Sequence, residues 1–348
     1  MAANPRSNKY KVLTDADVEH FLTHGFVRIP GCFTTEASDE WTKDVWLRLG
    51  MSPTDKSTWT RERTNMPEHQ RLKVPEFAPK AWDAICDLVG GDEKVTPKSK
   101  TWSDSFIVNL GTQENEGKTF SPQELSQWHV DGDFFVHFLD SPEQGLLVIP
   151  LYTDIHPNGG GTWICSEGIT RIGKWLYDHP QGVDPRMNPV DAPDGNAFEG
   201  LSFFNQTAQV SSPSSFHEMT GKIGDVILLH PLMLHSASKN GLRNIRIITN
   251  PPVSLLEPFN FDRGPNEDAY SLVELKTIRD LGGIEKLKGW TIQGERKAVI
   301  PERLRHQAKM MEEENRRLRE SGREYKERTQ TEEQIKEQAN RLQPIAAA

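Results

Sequence analysis

The short motif His129-Val130-Asp131 restricts what this chain can fold into more than any other stretch. In an extended backbone alternate side chains project to the same side, so this imidazole and this carboxylate can reach one cation. Two histidines and a carboxylate on one face of an octahedral ion leave its opposite face open to other ligands. The motif therefore predicts half of such a metal site. The alternative is a solvated turn around Gly132.

The second histidine is expected far downstream, in the segment 224–235. An apolar run there follows the turn residues Gly224 and Asp225, which is typical of a strand that returns beside an earlier one. His235 ends the run and is the predicted third ligand. His230 is the alternative, although the following Pro231 disfavours continuation of the strand ladder.

Arg246 stands between Ile245 and Ile247 in another strand-like run. Alternation places its guanidinium on the face opposite these two aliphatic side chains. If that face lines a barrel interior, an anion must offset the cost of burying the charge. A bound carboxylate held by two parallel hydrogen bonds would do so, and so would a structural pair with an Asp or Glu.

Taken together, these residues resemble the phytanoyl-CoA dioxygenase family of Fe(II)/2-oxoglutarate oxygenases. The resemblance spans roughly residues 10 to 260 and includes the segments 13–30 and 158–163. It implies that His129, Asp131 and His235 bind Fe(II), that Arg246 binds the distal carboxylate of 2-oxoglutarate, and that O2 takes the remaining position. Further candidates for contacts with 2-oxoglutarate are Gln127, Asn109, Thr162 and Trp163. For Trp163, packing in the core is an equal alternative.

The apolar patterns predict a fold that is mainly β with flanking helices. Thr14 and Asp17 resemble a capping box, and a second helix is expected over residues 35–49. Strands are expected at residues 26–30, 105–110, 134–139, 145–152 and 245–249. This arrangement favours a double-stranded β-helix, the jelly-roll barrel of cupin-like proteins, with the iron inside its mouth. We assign residues 1–300 to this oxygenase domain.

Residues 301–348 form a separate segment, predicted as a charged C-terminal helix and tail that is rich in Glu, Arg, Lys and Gln. Leu304, Met311, Leu318 and Tyr325 recur every seven residues. A coiled coil needs two apolar residues per heptad, so a helix lying against its own domain is favoured over a dimerising zipper. A disordered tail is the other alternative. The loop 181–200 is predicted as either a lid or a solvated insertion.

Composition limits the partners. A net charge of −9 and a pI near 5.7 argue against nucleic acid, and also against a CoA ester unless a local basic pocket exists. The three cysteines are widely separated, which suits reduced thiols in the cytoplasm. No stretch approaches membrane-spanning length. We expect a cytoplasmic monomer or homodimer that binds a small-molecule substrate, with no nucleic acid and no membrane partner.

The resemblance implies an oxygenase that acts on an unactivated C–H bond of a small organic metabolite. An amino acid, a terpenoid or another secondary-metabolite intermediate would fit, and the outcome would be hydroxylation, desaturation or oxidative ring closure. The family's substrates vary widely, so the substrate does not transfer. The alternatives are a fatty acyl-CoA 2-hydroxylase and a non-catalytic cupin that binds metal only for structure.

Overall fold

The fold mixes helices with antiparallel sheets. A computed structural model describes residues 10–192, 198–264, 269–301 and 303–323. The described helices are α1 (Asp15–His24), α2 (Thr35–Thr42), α3 (Val45–Leu49), α4 (Val74–Phe77), α5 (Pro79–Val89), α6 (Glu167–Asp178), α7 (Ser202–Gln209), α8 (Leu272–Asp280), α9 (Ile284–Leu287) and α10 (Arg303–Glu320). Within the described ranges, no helix is both long and apolar enough to cross a membrane.

The strands are short. They are β1 (Phe26–Ile29), β2 (Arg63–Asn65), β3 (Arg71–Lys73), β4 (Thr101–Ser103), β5 (Ile107–Asn109), β6 (Leu146–Pro150), β7 (Thr162–Cys165), β8 (Phe216–Met219), β9 (Val226–Leu229), β10 (Leu234–Ala237), β11 (Arg246–Ile248) and β12 (Pro252–Val253). They pair as four antiparallel sheets with the orders β1-β9-β6-β12, β10-β7-β8, β11-β5-β2 and β3-β4.

The expectation of a mainly β barrel is met only in part. Over the described ranges, helices hold more residues than strands, and the four sheets do not close into one barrel. The predicted strand at 134–139 makes only isolated bridges, Phe135 with Ala298 and His137 with Val183. The run 224–235 divides into β9 and β10, because Pro231 between them has no backbone N–H for a ladder. The predicted helix 35–49 likewise divides into α2 and α3.

The front of the chain follows local sequence signals closely. The Thr14 hydroxyl accepts a hydrogen bond from the Asp17 backbone N–H, and the Asp17 carboxylate accepts one from the Thr14 N–H, so the predicted capping box is confirmed. The helix ends at Gly25, whose φ of 75° lies in the left-handed region. Strand β1 then joins the central sheet, where β6 and β9 are buried along their whole length.

The described part of the C-terminal helix, α10, packs against its own domain near α3. Arg48 Nε donates to Glu314 Oε2 at 2.8 Å, and Arg48 Nη1 also contacts Asp104 at 3.1 Å. His69 Nε2 lies 2.9 Å from the same Glu314 oxygen, and all of these side chains are buried. Leu318 is buried beside them. Tyr325 and the tail 342–348 lie outside the described residues, and the division of the chain at residue 300 stays a prediction.

Glu314→Ala should destabilise the protein by about 2–4 kcal/mol, because removal of one partner leaves buried positive charge poorly compensated. Asp104 remains beside Arg48 and keeps the loss moderate. Urea denaturation measures the effect. The matched control is Glu313→Ala, which removes a half-exposed partner of Arg317 on the same helix and should cost less than about 0.5 kcal/mol. Equal losses in the two variants would show that the buried cluster does not anchor α10.

Candidate metal centre

His129 and His235 lie directly opposite each other across an antiparallel bridge. The backbone N–H of each donates to the carbonyl of the other at 2.9 Å. Directly opposed residues project their side chains to the same side, and the two rings are 4.3 Å apart between centroids. Asp131 Oδ1 lies 3.5 Å from His129 Nε2 and 3.6 Å from His235 Nε2. These donor atoms all lie within 4.8 Å of one another, so one ion can contact all three.

The outer ring nitrogens of both histidines bond to backbone carbonyls. His129 Nδ1 donates to the carbonyl of Gln127 at 2.7 Å, and His235 Nδ1 donates to that of Met233 at 3.0 Å. A proton fixed on Nδ1 leaves the Nε2 lone pair free and directs it toward Asp131. The local fold therefore orients both imidazoles in the tautomer that binds a metal.

Asp131 is oriented by a further residue and by the turn that follows it. Its second oxygen, Oδ2, accepts from Asn250 Nδ2 at 3.0 Å, which leaves Oδ1 to face the histidines. Gly132 has a φ of 121°, and a Cβ there would lie 2.6 Å from the ring of His137. His137 Nε2 donates to the Gly132 carbonyl at 2.7 Å. The positive φ of Gly132 and this hydrogen bond fix the backbone immediately after Asp131.

Electrostatics at the site favour a charged carboxylate. Burial alone would raise the pKa of Asp131, but the neighbouring histidines, His235 foremost, hold that pKa well below its usual range. An ionised carboxylate is the form that binds a cation. The donor set, two imidazoles and one carboxylate, is the one that suits iron with open coordination positions.

Asn250→Ala should weaken metal binding about 10–100-fold, because a residue that orients a ligand typically contributes that much to metal affinity. Titration of the apo protein with Fe(II) under argon measures it. Asn205, whose side chain bonds to the backbone near Ser126 and Trp128, is the matched amide outside the metal set. Iron affinity in Asn250→Ala equal to that of the unmodified protein would show that the hydrogen bond to Asp131 has no orienting role.

His230, the alternative third ligand, lies in the core away from the triad. Its Nε2 bonds to Thr277 Oγ1 at 2.9 Å, and its Nδ1 accepts from the Leu232 N–H at 3.2 Å. Burial, with a smaller contribution from Lys276, lowers its pKa to about 3. Both of its nitrogens are therefore used inside the protein, and the structure brings His235, not His230, to His129 and Asp131.

The triad opens into a cavity of about 510 Å³. One wall is the sheet β11-β5-β2, whose directly opposed residues form two rows. Arg246, Asn109 and Arg63 form the first row, and Ile248, Ile107 and Asn65 form the second. Another wall is α10, which contributes Leu304, Gln307, Ala308, Met311, Glu312 and Asn315.

Arg246 is buried on this cavity, with 2% of its surface exposed, and has no carboxylate partner among the described residues. Its Nη2 donates to Thr162 Oγ1 at 3.0 Å and its Nη1 to the Ile107 carbonyl at 3.4 Å, while the buried Nε has no partner in the described structure. Burial, and secondly the charge of Arg63, lower the pKa of Arg246 to about 9. The Nε–Nη2 edge is the edge of a guanidinium that holds a carboxylate by two parallel bonds. Arg246 and Thr162 therefore fit a bound carboxylate.

Of the other three residues predicted to contact 2-oxoglutarate, only one lines the cavity in the described structure. Gln127 lines it. Asn109 lies between Arg246 and Arg63 in the first row but is not among the lining residues. Its Nδ2 donates to the Ser238 carbonyl and its Oδ1 accepts from the Gly111 N–H, so its amide is already used by the backbone. Trp163 does not line it either, since it follows Thr162 on β7 and adjacent strand residues point to opposite faces. The described structure therefore does not bring these two side chains to the cavity, and their contacts with 2-oxoglutarate stay predictions.

Sequence reasoning missed Asn250 and Arg63. Asn250 follows Arg246 and Ile248 at even spacing, so alternation beyond the predicted strand could have placed it on the same face. Arg63 lies on a strand of three residues within a polar stretch, and such a strand carries no recognisable pattern.

No family model matches the chain, and no curated protein matches it. Among solved structures, HygX from Streptomyces hygroscopicus with nickel and 2-oxoglutarate bound is 12% identical, covers 68% of this chain and 85% of its own, and has a TM-score of 0.38. The 2-oxoglutarate-dependent carbocyclase SnoK from nogalamycin biosynthesis is 14% identical with a TM-score of 0.37, covering 70% of this chain and 84% of its own. GIG2 from Candida albicans is 12% identical with a TM-score of 0.43, covering 96% and 86%. Because these TM-scores are below 0.5, the likenesses carry no argument about family or reaction.

Proposed function

We propose that this protein is a non-haem oxygenase that uses Fe(II), 2-oxoglutarate and O2 to oxidise a C–H bond of a small organic molecule. The observation that carries the proposal is one cavity that joins two complementary features. These are a triad with its donor atoms within 4.8 Å and a buried arginine with an unused Nε. A dicarboxylate that chelates the metal at one end needs a cation at its other end. We also propose the finer predictions, namely a jelly-roll core and kinship with the phytanoyl-CoA dioxygenase family.

In this proposal His129, Asp131 and His235 hold Fe(II), and Arg246 with Thr162 binds the distal carboxylate of 2-oxoglutarate. Asn250 and the two backbone carbonyls keep the three ligands in position. The chemistry supplied by the bound iron and cosubstrate is oxidation of an unactivated C–H bond by O2, coupled to decarboxylation of 2-oxoglutarate to succinate. The apolar residues of α10, Leu304 and Met311, cover the cavity and help to exclude water.

A purely structural metal site is the alternative that the cavity disfavours. Structural sites are normally closed by protein ligands, whereas this triad faces open space large enough for a small molecule. A fatty acyl-CoA substrate is the second candidate, because it needs a local basic pocket and Arg63 and Lys98 line the cavity without an ion pair among the described residues. The cavity volume of about 510 Å³ favours the small molecule. Cytoplasmic location and a monomeric or homodimeric state also stay predictions.

Anaerobic titration tests the proposal directly. Addition of 2-oxoglutarate to the protein with equimolar Fe(II) should produce the visible absorption band of an iron-chelated 2-oxo acid. Admission of O2 should then release succinate. A protein that binds Fe(II) but gives no band and no succinate at saturating 2-oxoglutarate would contradict the proposed function and favour a structural site.

A further inference from the structure

The cavity holds more positive charge than the metal site and 2-oxoglutarate use. Arg63, Lys98 and Arg246 line it without an ion pair among the described residues. Two carboxylates on its wall, Asp131 and Glu312, likewise lack a Lys or Arg partner in the described part of the chain. The other charged lining residues neutralise each other, Arg71 with Glu68 and Arg303 with Asp133.

Charge balance in the loaded site therefore leaves one positive charge. A divalent metal and a 2-oxoglutarate dianion cancel each other, and three cations then face two carboxylates. An uncompensated cation in a partly enclosed cavity favours an anionic ligand. The acidic chain as a whole has a net charge of −9, so this cavity has the opposite sign to the rest of the protein.

Arg63 is the unused cation whose backbone position is set by strand pairing, and its side chain is exposed toward the cavity. It pairs with Asn109 on one side of β5, as Arg246 does on the other side. Side chains in such a row share one face, and two strand spacings of about 4.8 Å separate the outer members. Its neighbour in sequence, Glu62, is bonded to Lys239 at 3.4 Å and leaves Arg63 free.

The same placement separates Arg63 from the cosubstrate. Thr162 is hydrogen-bonded to Arg246, and the proposed function assigns both residues to one carboxylate of the cosubstrate. Arg63 lies on β2, the edge strand at the far side of the sheet, where Asn65 also faces the cavity. A second anion in this cavity would therefore meet Arg63 at the edge of the sheet farthest from Arg246.

We propose that the substrate carries a carboxylate or phosphate group and that Arg63 binds it. This inference rests on the proposed function and narrows its substrate to small anionic molecules. Arg63 acts here as a residue that determines substrate specificity, with no part in holding iron or 2-oxoglutarate.

The test uses the full chain loaded with Mn(II) and 2-oxoglutarate, and calorimetric titration with three probes of the same size. Benzoate and phenyl phosphate carry the two candidate anions, and benzamide is neutral. At least one anion should bind ten times more tightly than benzamide, and the preferred anion identifies the group. Arg63→Gln should weaken that binding at least tenfold. Arg61→Gln, which removes an exposed arginine two residues away that does not line the cavity, should leave it unchanged.

Three results would overturn the inference. Equal binding of the anions and benzamide would show that the cavity has no preference for negative charge. Unchanged anion binding in Arg63→Gln would show that Arg63 does not bind the anion. A loss of 2-oxoglutarate affinity in Arg63→Gln as large as that in Arg246→Gln would assign Arg63 to the cosubstrate instead. Failure of the proposed function is distinguishable, because the unmodified protein would then show no metal-dependent binding of 2-oxoglutarate at all.

Discussion

His235→Ala should lower the affinity for Fe(II) by more than about a hundredfold, since even residues that only orient a metal ligand contribute about 10–100-fold. The substitution removes one of two imidazoles from a three-residue donor set and leaves the others without a complete site. The fold should survive, because the His235 ring contacts only the Met233 carbonyl and the other two residues of the triad, and its backbone bridge to His129 does not need the ring. Equilibrium titration of the apo protein with Fe(II) under argon measures the change.

The matched control is His230→Ala, five residues earlier. His230 is fully buried and bonded to Thr277, so its loss should destabilise the protein, by about 2–4 kcal/mol as for other large-to-small core changes. Iron affinity of the folded fraction should not change. The opposite pattern, normal affinity in His235→Ala and lost affinity in folded His230→Ala, would move the third ligand to His230.

The candidate triad was predictable in part, because two of its signals are local. Alternation places His129 and Asp131 on one side, and the Gly224-Asp225 turn marks the start of a returning strand. The sequence does not show that His129 and His235 lie directly opposite each other, since that register depends on pairing between distant segments. Nor does it show that Asn109, next to the site in the sheet, uses its amide on backbone groups.

The fold was less predictable than the site. The residues at 134–139 are apolar enough for a strand, yet tertiary contacts leave them with isolated bridges only. The buried ion pair that holds α10 against the domain could not be predicted from the sequence, for a different reason. Glu314 is one of many charged residues on a helix whose composition indicates a solvated surface, and its partner Arg48 lies 266 positions away. A buried ion pair between such distant elements leaves no mark on local composition.

Arg246→Gln should raise the concentration of 2-oxoglutarate needed for half-saturation at least tenfold. Truncating one partner of a buried charged pair costs about 2–5 kcal/mol, and about 1.4 kcal/mol corresponds to a factor of ten. Fe(II) binding in the absence of 2-oxoglutarate should be unaffected, because Arg246 contacts Thr162 and a backbone carbonyl rather than the triad. The iron-chelate absorption band, followed anaerobically, reports both quantities. Thr162→Val removes one neutral hydrogen bond to the guanidinium and should have a smaller effect, about 0.5–1.5 kcal/mol.

Thermal unfolding of the same variant separates a ligand clamp from a structural arginine. In the described structure Arg246 is buried without a carboxylate, so its charge costs free energy until an anion binds. Arg246→Gln should therefore leave the Tm of the apo protein unchanged or raise it, and should remove the stabilisation that 2-oxoglutarate gives to the metal-loaded protein. A structural pair would give the opposite result, with a lower apo Tm and intact stabilisation by 2-oxoglutarate. That outcome would show that Arg246 stabilises the fold and does not bind 2-oxoglutarate, which would contradict its proposed role in binding the cosubstrate.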